Sequence, residues 1–154
     1  MAYTQPDFRS ADVSLAAAPG IILDGPGAIT PVTCAPDAGG AAKTLPVGLP
    51  MCFNTSTNKW IAWTDAAGAG VNKIGVIRGF IYPVPVIINA TGGNDVIGQV
   101  FTKGVIKLAT IVAALTALSI TTTNLNAALR GHGGGDPSPR ELGFTIQDLP
   151  LGAI

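Results

Sequence analysis

Apolar and polar positions alternate along this chain in short bursts, and the bursts predict strands more often than helices. Ile21-Ile22-Leu23 is a three-residue apolar run closed by Asp24-Gly25-Pro26-Gly27, a strand followed by a turn. Met51-Cys52-Phe53 and Trp60-Ile61-Ala62-Trp63 flank the polar stretch Asn54 to Lys59. Its Asn, Ser and Thr side chains can bond their own backbone in turns, so the spacing predicts a hairpin. Ile74 to Tyr82 predicts a longer strand interrupted by Gly75 and Gly79. Pro83-Val84-Pro85 then lacks ladder donors, which places that piece at an edge or turns it away. Val86-Ile87-Ile88 ends at the turn residues Asn89 to Asn94. Val96 to Thr102 and Val105 to Ala109 predict two strands paired about Lys103-Gly104, and Arg140 to Ile146 leads to a last strand.

Two stretches carry a helical pattern instead. Ile111, Leu115 and Leu118 fall at i, i+4 and i+7 within Leu108 to Leu118, one face of a helix. Thr123 to Gly131 predicts a second short helix with Thr123 as N-cap and Gly131 as its left-handed terminator. Ala28 to Leu45, with Pro31, Pro36 and Gly39-Gly40, is expected to be irregular, an extended loop lying over a sheet or a neighbouring subunit. The fold class expected is α+β: a β-rich compact domain, a small mixed sheet or barrel, with one or two short helices and an extended N-terminal arm. Residues 1–20 form the arm, flexible until bound, and residues 21–154 a single domain.

Trp60 and Trp63 are three apart, so strict strand alternation puts them on opposite faces and turns one away from the core. An exposed Trp is a common interface anchor, whereas burial of both under a covering loop is the structural alternative.

Composition sharpens this picture. Charged residues make up only 12% of the chain, about half the usual share. A folded chain so poor in charge has few ways to hydrate its whole surface, which implies that a partner covers some apolar surface. Formal net charge is zero and no basic run occurs, which argues against nucleic acid as a partner. The first twelve residues have no signal-peptide pattern, and neither Phe80 to Asn94 nor Leu108 to Leu129 supplies the roughly 20 apolar residues of a membrane helix. A soluble protein with no membrane partner is expected.

Candidate chemistry is sparse. Cys34 and Cys52 have no CxxC spacing and no neighbouring His, so two partly buried free thiols are expected rather than a disulfide or a metal site. The single histidine, His132, sits in the Gly-rich stretch Gly131 to Pro139, without the fixed partners that a catalytic or ligating His requires. No nucleophile elbow, P-loop or dinucleotide fingerprint occurs. The aspartates are scattered, and no pair is singled out. No catalytic, metal or cofactor residue is assigned, and an enzyme is not expected.

Against this background one resemblance stands out. Pro50, the run Met51 to Phe53, the turn Thr55 to Lys59, Ile61 to Trp63, the small-residue loop Ala66 to Gly70 and the strand Gly75 to Ile77 follow one another in a familiar order. That order resembles the head decoration proteins of lambda-type tailed bacteriophages. Val100 to Lys107 resembles the family's next hairpin, and Gly143 to Ile146 is a weaker third match. The blocks cover roughly a third of the chain. Ile81 to Gly98 looks like an insertion relative to the family pattern, either an outward-facing loop or an additional hairpin.

The resemblance implies a structural virion protein that binds the outer surface of the expanded capsid as a homotrimer at three-fold positions and stabilises the head. It would be soluble in the host cytoplasm before assembly, with the major capsid protein as partner and no cofactor. It implies a capsid-binding arm carrying Tyr3, Thr4, Gln5, Phe8, Val13 and Leu15, and it makes Trp60, Trp63, Pro46 and Pro50 candidate subunit-contact residues. The alternative is a fibre or tail module that binds a host glycan, or another structural protein, through Ile81 to Gly98, whose one aromatic suited to stacking on a sugar is Tyr82.

Overall fold

The computed structural model describes residues 20–25, 27–64, 76–130 and 142–149. In chain order the elements are β1 (Ile21–Leu23), β2 (Ile29–Cys34), β3 (Lys43–Leu45), β4 (Pro50–Asn54), β5 (Lys59–Ala62), β6 (Ile77–Ile81), β7 (Val86–Ile88), β8 (Val96–Phe101), β9 (Gly104–Lys107), α1 (Leu108–Ala117), α2 (Leu125–Arg130) and β10 (Phe144–Gln147). The described residues therefore form a β-rich α+β fold with two short helices.

Five strands close into a barrel in the order β2-β5-β4-β6-β8. Its hairpin β4–β5 forms where the polar turn predicts it, with Phe53 opposite Trp60 and Asn54 opposite Lys59. The Ser56 N–H donates to Asn54 Oδ1 at 3.0 Å, an Asx turn that starts the reversal, and Asn58 takes the left-handed conformation that completes it (φ 55°). β2 runs antiparallel to β8 along its whole length and meets β5 only where Cys34 faces Trp60.

That seam corrects the expectation of an irregular Ala28 to Leu45. The stretch supplies β2 and β3, and Pro31 lies inside β2 opposite Gln99. A proline is tolerated there because β2 has no partner on its β5 side until Cys34, so the missing N–H removes no ladder bond from that open edge.

The second correction concerns Lys103-Gly104. β8 and β9 both form, but they do not pair with each other. β8 stays in the barrel with β2 and β6, while β9 becomes the centre of a separate sheet ordered β1-β9-β10. β1 is antiparallel to β9, and β10 is parallel to it. A tight two-residue reversal would fold β9 back on β8; here Gly104, at φ 147°, carries the strand onward to another sheet instead.

β7 belongs to neither sheet. It pairs antiparallel with β3, Thr44 opposite Ile87, so Ile81 to Gly98 makes no hairpin with itself. The turn after β7 is latched to the loop before β3. Thr91 Oγ1 donates to the Asp37 carbonyl at 2.7 Å and accepts from the Gly40 N–H at 3.0 Å, while Lys43 and Asp37 form an ion pair at 2.6 Å.

α1 buries Ile111, Ala114 and Leu115 against the sheets, and Leu118 packs partly beside them, as the i, i+4, i+7 pattern predicts. It ends in a Schellman motif: the Ile120 N–H donates to the Leu115 carbonyl and the Ser119 N–H to Thr116, with Ser119 left-handed (φ 55°). α2 starts at Leu125, which puts Asn124 at the cap position in place of Thr123. Gly131 and His132 lie outside the described residues.

Barrel and outer sheet share one core. Phe80 stacks on Phe101 with ring centroids 5.2 Å apart, and Phe144 from β10 meets both edge-on at 5.1 and 5.6 Å. These three rings are fully buried, so β10 is fastened to the barrel by aromatic contact as well as to β9 by hydrogen bonds. Among the described residues no helix is long and apolar enough to cross a membrane.

Candidate interaction surfaces

The proposed subunit-contact residues divide into two groups. Trp60 and Pro46 are half-buried. Trp60 meets Phe53 edge-on at 5.9 Å, and its ring passes over Gly79, where an added β-carbon would stand 3.2 Å from Cζ3. Trp63 is only 2% exposed and Pro50 is buried, so neither side chain offers surface to a partner. The alternation argument fails at Trp63 because β5 stops at Ala62; the Trp63 N–H donates to the Pro50 carbonyl at 2.9 Å and the ring folds into the core. The arm residues Tyr3, Thr4, Gln5, Phe8, Val13 and Leu15 lie outside the described residues, as does the whole small-residue loop Ala66 to Gly70.

Tyr82, the aromatic on which a glycan site in the Ile81 to Gly98 segment would depend, is 3% exposed and packs edge-on against Phe101 at 6.2 Å. It has no face free for a sugar.

Cys34 and Cys52 are both free, as expected, and both are fully rather than partly buried. Burial pushes the Cys34 thiol pKa up against a hydrogen bond from the Gly98 backbone, and it pushes Cys52 far above the ordinary thiol range despite the nearby Arg78 charge. Neither thiol has the depressed pKa or the exposure of a nucleophile. Among the described residues no three His, Cys, Asp or Glu side chains cluster as metal ligands would. Arg130 closes α2, where its positive charge suits the helix terminus, and its buried Nε and Nη2 find no hydrogen-bond partner among the described residues.

What the surface does carry is apolar. The exposed large hydrophobic residues among those described are Ile97 (72%), Ile87 (68%), Ile22 (60%) and Val84 (56%). Three of them share one open groove of about 440 Å³, lined by the outward residues Pro31, Ile97 and Gln99 of β2 and β8 and by Val84, Pro85 and Ile87. No charged side chain is among the residues that line it. Gly98 lets β7 settle at its floor: an added β-carbon would stand 2.7 Å from Val86 Cγ2 and 3.2 Å from Cys34 Sγ.

Ile22 lies elsewhere. It faces Val105, which faces Thr145, and this row forms the outer side of the β1-β9-β10 sheet beside a shallow depression of about 190 Å³. The flanking rows, Ile21–Ile106 and Gly104–Phe144, turn inward. Sequence reasoning put β1 in place but missed the groove, because its parts come from three separated stretches: the β2–β8 pairing sets Pro31 opposite Gln99, and Val86 of β7 packs over Gly98.

Compared with known proteins, the chain matches no family model and has no significant match among curated proteins.

Proposed function

We propose that this protein is a structural virion component that coats the outer surface of an expanded phage capsid as a homotrimer and stabilises the head. The resemblance of Pro50 to Ile77 and Val100 to Lys107 to the lambda-type decoration proteins motivates this reading. The structural observation that carries it is the position of β1. The body begins at this edge strand, whose outer side has no strand partner among the described residues and whose Ile22 faces outward. An arm entering the body through β1 therefore starts at an open sheet edge, where a strand from the major capsid protein can add its own hydrogen bonds.

The work assigned to the protein is mechanical, with no catalytic step. A preformed body supplies rigid contacts, and the arm with Tyr3, Phe8, Val13 and Leu15 supplies apolar anchors and backbone pairing to the shell. Trp60 and Pro46 remain surface contacts for neighbouring subunits.

Co-sedimentation of the purified protein with undecorated heads tests this. Saturable binding to expanded shells alone, near three copies per three-fold site, is the expected result. Deletion of residues 2–15 should weaken binding while leaving the circular dichroism spectrum unchanged. Absence of binding to either shell form would remove the proposal.

A further inference from the structure

We propose that Pro31 guards an open strand edge. It keeps β2 from pairing with β2 of a second copy, on the side of the body that carries Ile97, Ile87 and Val84.

The ladder of β2 and β8 defines the edge. The Thr102 N–H donates to the Ala28 carbonyl at 2.7 Å, one step before Ile29 and Phe101 face one another. Bonded and non-bonded pairs alternate in an antiparallel ladder, so Thr30, Val32 and Cys34 turn their backbone groups towards β8. Ile29, Pro31 and Thr33 turn theirs the other way. Gln99, the residue opposite Pro31, agrees with this: its carbonyl accepts from the Tyr82 N–H at 3.2 Å, on the β6 side of β8. On its outward side β2 meets β5 only at Cys34, where the Ala35 N–H donates to the Trp60 carbonyl at 2.9 Å. The outward N–H groups of Ile29 and Thr33 therefore have no strand partner among the described residues.

An edge of this kind is a template for another chain, and folded proteins blunt it with charge, proline, a bulge or a cover. Charge is missing here. Thr30 and Pro31 are exposed, and Ile97, opposite Thr33, is 72% exposed. The adjoining groove, with Val84 and Ile87, has no charged residue in its lining. Lys59 and Asp95 stand at the Cys34 end of the strand, but they neutralise one another at 2.9 Å.

Proline is what remains. Two β2 edges meeting antiparallel about a two-fold axis centred on Pro31 would set each Pro31 opposite the other. Each ring then places carbon where the facing carbonyl needs an N–H, so both central bonds are lost and the strands are held apart. A residue with an N–H at this position restores those bonds, with the uncharged groove alongside.

Light scattering and hydrogen exchange on Pro31→Thr test this. Threonine suits a strand and supplies the missing N–H. The variant's mass should rise at least twofold at a concentration where the native chain keeps its own. The amides of Ile29 and Thr33 should then exchange at least tenfold more slowly than in the native chain. Pro85→Thr removes a proline from the groove but not from the edge, and should leave the mass at the native value. An unchanged mass in Pro31→Thr would overturn the proposal. So would an equal gain from Pro85→Thr, or a gain in mass without slower exchange at Ile29 and Thr33. The native chain supplies a second test that needs no variant: its Ile29 and Thr33 amides should exchange at least tenfold faster than those of Thr30 and Val32. Slow exchange at all four would mean that the edge is already covered and that Pro31 guards nothing.

Discussion

Gly104 stands so close to Ile22 that a β-carbon on it would collide with the Ile22 carbonyl oxygen and lie 3.1 Å from the Leu23 Cα. The obstacle is backbone, which cannot swing aside. Gly104 also has φ 147°, outside the range L side chains favour. Gly104→Ala should therefore cost about 1–3 kcal/mol from backbone strain alone. For a chain of this size that lowers the melting temperature by at least ~2 °C. Hydrogen exchange should locate the loss: Ile21 to Leu23 should lose protection while the β4–β5 hairpin keeps it. Uniform loss across both would mean that β1 is not separately held.

Gly98 makes a comparable close approach with a softer obstacle. Alanine there would press on Val86 Cγ2 at 2.7 Å and Cys34 Sγ at 3.2 Å. Overpacking of this kind typically costs about 1–3 kcal/mol. Val86→Ala removes the nearer obstacle, so the double variant should be less destabilised than the sum of the single changes. A denaturant-melt double-mutant cycle reads the coupling, and additivity would show that β7 does not rest on Gly98.

Ser119 offers a stabilising change. It occupies the left-handed position of the Schellman motif after α1, at φ 55° and exposed. Glycine takes this conformation without the β-carbon penalty. Ser119→Gly should raise stability by roughly 0.5–1 kcal/mol, reduced by the entropy that glycine adds to the unfolded chain. A drop in the urea midpoint would count against the motif's geometry.

The two thiols give a pH signature. Burial raises both pKa values in the folded state, whereas the unfolded thiols ionise near ~8.5. Above that pH the folded chain holds protons that the unfolded chain has released, so stability falls as pH rises. Each thiol contributes at most about 1.4 kcal/mol per pH unit, beginning above pH ~8.5 and continuing until its own folded pKa is passed. Urea melts between pH 7 and 10.5 should show the decline, and Cys52→Ala should flatten it more than Cys34→Ala, since Cys52 has the larger shift. Native-state labelling by a thiol reagent should be slow at both residues and fast in denaturant.

Local chemistry was legible in this sequence, and pairing was not. The Asx turn at Asn54, the α1 face of Ile111 and Leu115, and the strand Ile21 to Leu23 are encoded within a few residues of one another. Pro31 misled because a proline forbids a central strand but not an edge, and only the single bridge Cys34–Trp60 makes that part of β2 an edge. Gly104 misled in a related way: Lys-Gly between two apolar runs signals a reversal, but this glycine exists for the approach of β1, contributed by residues 21–23. The groove was invisible for the same reason. Pro31, Ile87 and Ile97 are ordinary single apolar residues until the β2–β8 pairing and the packing of β7 over Gly98 bring them side by side.

The central place of β9 also orders events during synthesis. β1 leaves the ribosome early, yet its partner, Gly104 to Lys107, is made far later, and β10 on the other side later still. The barrel waits as well, since Ile29 to Cys34 pairs with Val96 to Phe101. Such long-range closure is slow and comes after translation of most of the chain. β1 is consequently among the last strands to be fastened: a half-made chain has no fixed β1 edge, and only a finished one does.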